Sequence, residues 1–390
     1  MSPRLKFDRR SSLPVLYTRG THYEVGFDIG RTFRGIIEDY LAASKHSHDS
    51  LLKQFGEGDG KAAYDVTLEN LKTNFPQYIR ELQGIADGAR VPFQHLMVLH
   101  LVTSLSPGQH DIFSSATRPN LGCTSVSLNK DGEILLGHTE DAEAEMLNHL
   151  YIVEAEIIEE EAQGRWGFRR EHFTALCYAG EVPGFCMGYN RHGIAFSVNV
   201  LRPRHIFSGK TPRHFLCRAL LAADSMAAAQ RILQDAGVGA ADGFSANVIH
   251  LARDGGRAFH NFEVAPPKAG SAESQVSVHV VERGQHFIHT NNYQHLKTEE
   301  HCEALVVTSS RRRRARAEVL PPPTSRELLV ALLSDDEDPV HPIFRTQDPD
   351  FITTALGLFD VVKREWAFWM QNPKTAAPLF SLPMTFQWDE

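Results

Sequence analysis

Cysteine is scarce in this chain of 390 residues. There are five, Cys123, Cys177, Cys186, Cys217 and Cys302, odd in number and irregularly spaced. That excludes a disulfide framework and fits a reducing compartment. Long apolar runs are missing too: no stretch reaches the 18 apolar residues that mark a membrane-spanning helix. The opening Met1-Ser2-Pro3-Arg4-Leu5-Lys6-Phe7-Asp8-Arg9-Arg10 lacks the apolar centre of a secretory signal, so a cytoplasmic location is expected. Positive charge is in the minority. Forty Lys and Arg against 48 Asp and Glu leave a net charge of −8, which argues against a general nucleic-acid or anionic-membrane binder. With 42% hydrophobic and 23% charged residues and no internal repeat, the composition is that of an ordinary globular protein. The length fits one large domain or two ordinary ones.

Several motifs are incomplete. Gly209-Lys210-Thr211 would need a Gly at position 204 to be a phosphate-binding loop, and that residue is Arg. His138-Thr139-Glu140-Asp141 has no Cys-x-x-Cys or second close His to complete a metal site, and the 20 His are scattered. Neither metal nor other cofactor is expected. Arg311 to Arg314 with Arg316 is the densest charge in the chain. It reads as a solvated helix start capped by Ser309 or Ser310, in preference to a nuclear-import or anion-binding patch.

The first hundred residues read as mainly helical. Thr21-His22-Tyr23-Glu24 is a capping box ahead of Val25, Ile29 and Phe33 at helical spacing. Leu68, Leu71 and Phe75 predict a second helix stopping near Pro76, with Ile79, Leu82 and Ile85 on one face beyond it. Residues 104–121 read as a loop. From Cys123 the period changes to two, predicting strands at Val126/Leu128, Ile134/Leu136, Ile152 to Ile157, Ile194 to Val200 and Val276 to Val280. Asp131-Gly132 and His192-Gly193 mark tight turns. Helices are predicted from about Pro212 to Leu221, near Met226 to Leu233, and from Leu328 to Leu333 behind a box at Thr324-Ser325-Arg326-Glu327. Strands close the chain near Leu356-Leu358 and Glu365 to Met370. The order gives an α+β fold.

Gly122-Cys123-Thr124 is the most informative string. A Gly precedes the Cys and lets another group approach closely, and Thr124, Val126 and Leu128 alternate as a strand would. Cleavage before Cys123 would leave its thiol beside a free α-amine, which can act as that thiol's own base. Taken alone, a small buried side chain is the commoner reading of such a Cys.

The wider pattern decides. Gly122-Cys123-Thr124, then Leu136-Gly137-His138-Thr139-Glu140-Asp141, then His289-Thr290-Asn291 resembles the isopenicillin-N acyltransferase family of N-terminal-nucleophile enzymes. Within it the resemblance is to enzymes that remove β-alanine from amines, carried by Leu16-Tyr17-Thr18-Arg19-Gly20, Leu176-Cys177-Tyr178-Ala179-Gly180, Gly209-Lys210-Thr211-Pro212-Arg213-His214-Phe215 and Asp235-Ala236-Gly237-Val238-Gly239-Ala240-Ala241-Asp242. The match thins after about residue 300.

The resemblance implies a four-layer αββα sandwich and cleavage between Gly122 and Cys123. Residues 1–122 would form a helical α chain and 123–390 a β-rich β chain, the two making one domain. Cys123 would be the nucleophile, Asp141 (18 residues on) would orient its amine, Asn291 would stabilise the oxyanion, and Ser245 of Ser245-Ala246-Asn247 would assist at the amine. Implied substrates are N-β-alanyldopamine and carcinine. Their ammonium calls for a carboxylate, with Glu140 and Asp242 as candidates, and their ring for an aromatic wall, with Tyr178, Phe185 and Tyr189 as candidates. Expected partners are that small molecule and the chain's own two halves, without nucleic acid or membrane; a homodimer of αβ units is left open. One departure concerns Pro349-Asp350-Phe351-Ile352-Thr353, where the penicillin acyltransferase has an Arg and this chain has none, which puts acyl-coenzyme A chemistry in doubt. Competing readings are an amide hydrolase or acyltransferase for another acyl group, and a non-catalytic binding protein that kept the fold.

Overall fold

The period-two segments after Cys123 form two antiparallel-rich sheets in a computed structural model, which describes residues 9–101, 122–300, 305–346 and 351–389. The predicted loop at 104–121, Cys302 and Asp350 lie outside the described residues. The strands are β1 (Val15–Gly20), β2 (Thr124–Lys130), β3 (Glu133–Glu143), β4 (Leu150–Gln163), β5 (Phe168–Tyr178), β6 (Met187–Asn190), β7 (Ile194–Leu201), β8 (Gly243–Leu251), β9 (Arg257–Ala265), β10 (Gln275–Val280), β11 (Gln285–His289), β12 (Phe351–Asp360), β13 (Glu365–Trp369) and β14 (Phe380–Pro383). One sheet has eight strands in the order β1-β4-β5-β6-β7-β8-β9-β10, and the other six, β11-β2-β3-β12-β13-β14. Among the described strands, β1 and β4 are the one parallel pair.

The N-terminal segment is therefore not helical throughout. β1 was missed because six residues, Val15 to Gly20, with an irregular burial pattern give no clean alternation. The capping box forms as expected. The Thr21 side chain accepts from the Glu24 N–H, and the Glu24 carboxylate accepts the Thr21 N–H at 2.8 Å, opening the helix His22–Thr32. The helix Gly58–Asn74 stops where the sequence predicts, and Pro76 opens the next, Pro76–Ala89, at its first turn. Helices His22–Thr32 and Pro76–Ala89 touch backbone to backbone. A Cβ on Gly26 would stand 2.0 Å from the Glu81 carbonyl oxygen, and one on Gly84 2.2 Å from that of Tyr23. Only glycine allows so close a crossing.

These helices, with Arg213–Leu220 and Met226–Gln234, cover the outer face of the eight-stranded sheet. Helices Leu305–Val319 and Arg326–Leu333 cover the outer face of the six-stranded one, packing Leu329, Leu332 and Leu333 onto Val126, Leu135, Leu356 and Leu358. The cap of Arg326–Leu333 is Ser325, one residue later than the box at Thr324 suggested. Between the sheets, Tyr189 of β6 meets Trp366 of β13 edge-on, centroids 6.0 Å apart. The result is an α+β, four-layer αββα sandwich. Residues from both sides of Cys123 share one hydrophobic cluster. Among the described residues no helix is long and apolar enough to cross a membrane.

A buried ion network fastens the helical layer to its sheet. Arg218 donates to both Glu81 oxygens (3.0 and 3.1 Å from Nε) and to Glu171 (2.6 Å), all three side chains fully buried. His22 bridges Glu159 (2.7 Å) and Glu171 (3.1 Å). Burial alone would lower the His22 pKa, but the Glu171 charge and the hydrogen bonds to Glu159 and Glu171 outweigh it and lift it to about 9. Burial would raise Glu171, but the Arg218 and His22 charges bring it down to about 2.

Removing Arg218 strands two buried carboxylates, so Arg218→Met should cost about 3–5 kcal/mol in denaturant unfolding. Since His22 is raised from 6.5, its contribution is complete below that pH and is lost as pH rises towards 9. Unfolding free energy should decline across that window, and His22→Gln should flatten the decline.

Candidate active site

The β2–β3 hairpin sets the site. Its turn at Asp131-Gly132 pairs Thr124 with Thr139 and Ser125 with His138, so one further step places Cys123 opposite Glu140. The Cys123 sulfur lies 3.6 Å from Glu140 Oε2 and donates to it. Glu140 Oε2 also meets His138 Nε2 at 2.8 Å, and Tyr178 donates its hydroxyl to Oε1. His138 Nδ1 is 2.8 Å from Ser125 Oγ, which donates to Asn199 Oδ1 at 2.8 Å. Neighbouring strand residues normally face opposite ways. Glu140 and Asp141 nonetheless both line one cavity, at the place where β12 opposite them shifts register between Thr353 and Ala355.

Asp141 accepts from Thr353 Oγ1 at 2.6 Å on Oδ1. Its Oδ2 lies 3.5 Å from Arg345 Nε and accepts no hydrogen bond. Burial raises Asp141 to about 6 against the Arg345 and Arg313 charges. Burial, and then the Glu140 and Asp141 charges, push the Cys123 thiol well above its usual range; an Asp141 backbone hydrogen bond and Arg313 oppose them.

Arg313 closes the other side. Its Nη1 donates to the Cys123 carbonyl (2.6 Å) and Thr124 Oγ1 (2.7 Å), and its Nη2 to Asn291 Oδ1 (2.7 Å). A guanidinium only donates, so it fixes which end of the Asn291 amide is oxygen. The amide nitrogen then faces the other way, giving one hydrogen to Val200 O at 3.0 Å. A Cβ on Gly122 would stand 2.1 Å from Arg313 Nη2 and 2.7 Å from Asn291 Oδ1.

This corrects the reading of the arginine run. Arg313 is fully buried, while Arg311 and Arg312 are exposed. Helix Leu305–Val319 begins before the two serines, so Ser309 and Ser310 are interior residues and not caps. Ser310 Oγ accepts the Asn291 N–H at 2.8 Å, and Ser309 Oγ accepts from Arg345 Nη2 at 2.7 Å. The missed signal is periodic: Val306, Ser309, Ser310, Arg313 and Ala317 form the inward stripe.

The cavity brings together Gly122, Cys123, Glu140, Asp141, Asn291, Tyr178 and Phe185. Glu181 and Arg202, not singled out from the sequence, line it as well. Three other candidates lie elsewhere. Asp242 is committed to Arg213, accepting its N–H at 3.0 Å and its Nη1 at 2.6 Å. Tyr189 donates to Pro383 O at 3.1 Å and packs on Trp366 and Phe386 between the sheets. Ser245 accepts from Asn261 Nδ2 at 2.8 Å and reaches the site only through the amide relay of Asn261, Asn247 and Asn199 to Ser125. Pairing and register explain these displacements: each side chain meets a buried partner that a linear reading does not reveal. Cys123, His138 and Glu140 also have ligand atoms within 4.8 Å of one another, a group that could hold a metal ion.

Residues 127–375 match the family model described as acyl-coenzyme A:6-aminopenicillanic acid acyl-transferase. The chain is 40% identical over 382 residues, 97% of its length and 98% of the relative's, to a Drosophila melanogaster protein named beta-alanyl-dopamine/carcinine hydrolase. A conjugated bile acid hydrolase mutant from Clostridium perfringens superposes with TM-score 0.40 and 11% identity, over 67% of this chain and 92% of the other. Penicillin V acylase from Agrobacterium tumefaciens gives 0.36 and 13%, over 67% and 86%. Overlap this weak adds nothing to the assignment. The sequence matches suffice: the chain belongs to the acyl-coenzyme A:6-aminopenicillanic acid acyl-transferase family.

Proposed function

We propose that the chain is a self-processing cysteine hydrolase that cuts its own Gly122–Cys123 bond and then hydrolyses β-alanyl amines, N-β-alanyldopamine and carcinine, through a Cys123 thioester. The carrying observation is the 40% identity across 97% of the chain to a protein of that named activity. A small-molecule amine and the chain's own two halves are its partners in this reading, and its location is cytoplasmic.

The first stage needs a base, because the buried thiol holds its proton. Glu140 Oε2, at 3.6 Å, is placed to take it. The thiolate attacks the Gly122 carbonyl carbon. The C–N bond to Cys123 breaks, the nitrogen gains a proton, and the Gly122 acyl group rests on sulfur. Water hydrolyses that thioester, leaving a Gly122 carboxylate and a Cys123 with free thiol and α-amine.

In the second stage the new amine, titrating near about 7.7–8.0, takes the thiol proton. Asp141 Oδ2, which accepts no hydrogen bond, receives one from this amine. The thiolate attacks the substrate amide carbon, and the remaining Asn291 N–H donates to the oxyanion. The Cys123 amine returns its proton to the departing dopamine or histamine. Water then releases β-alanine and restores the thiol. The family model's description favours a second reading, in which the acyl group differs from β-alanyl or passes to another amine instead of water. Turnover of β-alanyl amines compared with phenylacetyl and long-chain acyl amines separates the two.

Rapid acid quench with N-β-alanyldopamine should trap a β-alanyl adduct on Cys123, visible by peptide mass. Cys123→Ala should show neither adduct nor turnover. Asn291→Ala should lower kcat by about 10²–10³ with a smaller change in KM. Protonating Asp141 removes the charge that holds the amine, so kcat/KM should fall as pH drops through about 6. Asp141→Asn should lose that limb. Gly122→Ala drives a methyl group into Arg313, and uncleaved chain should accumulate on a gel.

A further inference from the structure

A buried carboxylate of the cavity has no task in the chemistry above. Glu181 follows β5, is 6% exposed and lines the cavity that holds the Cys123 sulfur. Among the described residues its Oε2 accepts no hydrogen bond. The nearest cation candidate, His214 Nε2, lies 3.4 Å away, outside hydrogen-bond geometry. His214 is held neutral, its pKa lowered to about 3 by burial and then by Arg213. Arg213 itself is tied to Asp242 at 2.6 Å. A buried carboxylate oxygen without a partner is costly, and such a site is completed by a cation from outside.

The carboxylates opposite the sulfur face other groups. Glu140 is shared among Cys123, His138 and Tyr178, and Asp141 accepts from Thr353 and lies 3.5 Å from Arg345. Asp242 is outside the cavity. Glu181 is close enough to Glu140 for the two charges to repel. Cys123 and Glu181 line the same cavity, so an acyl group on the sulfur extends into the space that Glu181 borders. Its wall suits the methylenes between: Phe185, stacked on His214 at 4.4 Å, and Leu99.

We propose that Glu181 is the specificity-determining residue of the acyl pocket, taking the primary ammonium of the β-alanyl group as its missing hydrogen-bond partner. This rests on the hydrolase reading above and names the group that selects its acyl half. It moves the ammonium-binding role from Glu140 and Asp242, the candidates of the sequence, to Glu181, and leaves Glu140 to the sulfur. Burial holds the empty Glu181 near a pKa of about 7, and a bound ammonium favours its charged form.

The test compares N-β-alanyldopamine with N-butanoyldopamine, in which a methyl group replaces the ammonium. Wild type should prefer the β-alanyl amide in kcat/KM. Glu181→Gln, an isosteric change that relieves a buried charge, should cut that preference by at least about 30-fold, mainly through KM. Glu181→Asp should retain part of it. Equal losses on both amides, or an undiminished preference in Glu181→Gln, would overturn the assignment while leaving the hydrolase reading intact. A wild type that turns over butanoyl but not β-alanyl amides would overturn the functional reading, and the Glu181 assignment with it.

Discussion

A fully buried guanidinium ties Cys123 to the rest of the site. Arg313 holds the Cys123 carbonyl, the Thr124 hydroxyl and the Asn291 side-chain oxygen at 2.6 to 2.7 Å, joining β2, the segment after β11 and an outer helix. Burial lowers its pKa only to about 10, the Asp141 charge opposing, so it stays charged at neutral pH. Without it three buried acceptors would lose a charge-assisted donor, and the Asn291 amide would have no fixed orientation. The same guanidinium occupies the space where a side chain at position 122 would stand. A glycine before the cysteine and an arginine 190 residues later are thus one constraint.

Around that anchor the sheets divide the labour. Hairpin register brings Glu140 across from Cys123, and Asp141 beside it lines the same cavity while accepting from Thr353 of β12. Burial and two carboxylates near one sulfur disfavour a thiolate, and in the proposed reading a positive α-ammonium beside that sulfur would offset them after cleavage. The polar relay from Ser125 through Asn199 to Asn247 and Asn261 locks β2 against the eight-stranded sheet. It gives the strand that follows Cys123 a directional backing that apolar packing alone would not supply.

Much of the fold was legible because it was local. The Thr21 box, the turn at Asp131-Gly132, the stop before Pro76 and the alternation after Cys123 each rest on residues a few positions apart. Asp141 was expected from the family resemblance, 18 residues after Cys123, and Glu140 only as a partner for the substrate's ammonium. The hairpin register sets Glu140 against the sulfur instead. What stayed hidden was long-range. Arg313 looked like one member of a solvated run until helical phase turned it inward. Asp242 and Tyr189 looked available until their partners, Arg213 and Pro383, appeared. Arg345 and Glu181 belong to no motif, and only the shared cavity or the ion pair with Asp141 brings them to the site.

The account stands or falls on whether the sulfur of residue 123 comes to sit beside a chain terminus. Intact mass and N-terminal sequencing of purified wild-type protein, run beside Cys123→Ala, measure this directly. The account predicts two fragments, 1–122 and 123–390, the second beginning Cys-Thr-Ser, and a single full-length chain for the variant. A wild type that remains one chain while hydrolysing β-alanyl amines, or a Cys123→Ala chain cut at the same bond, would contradict it.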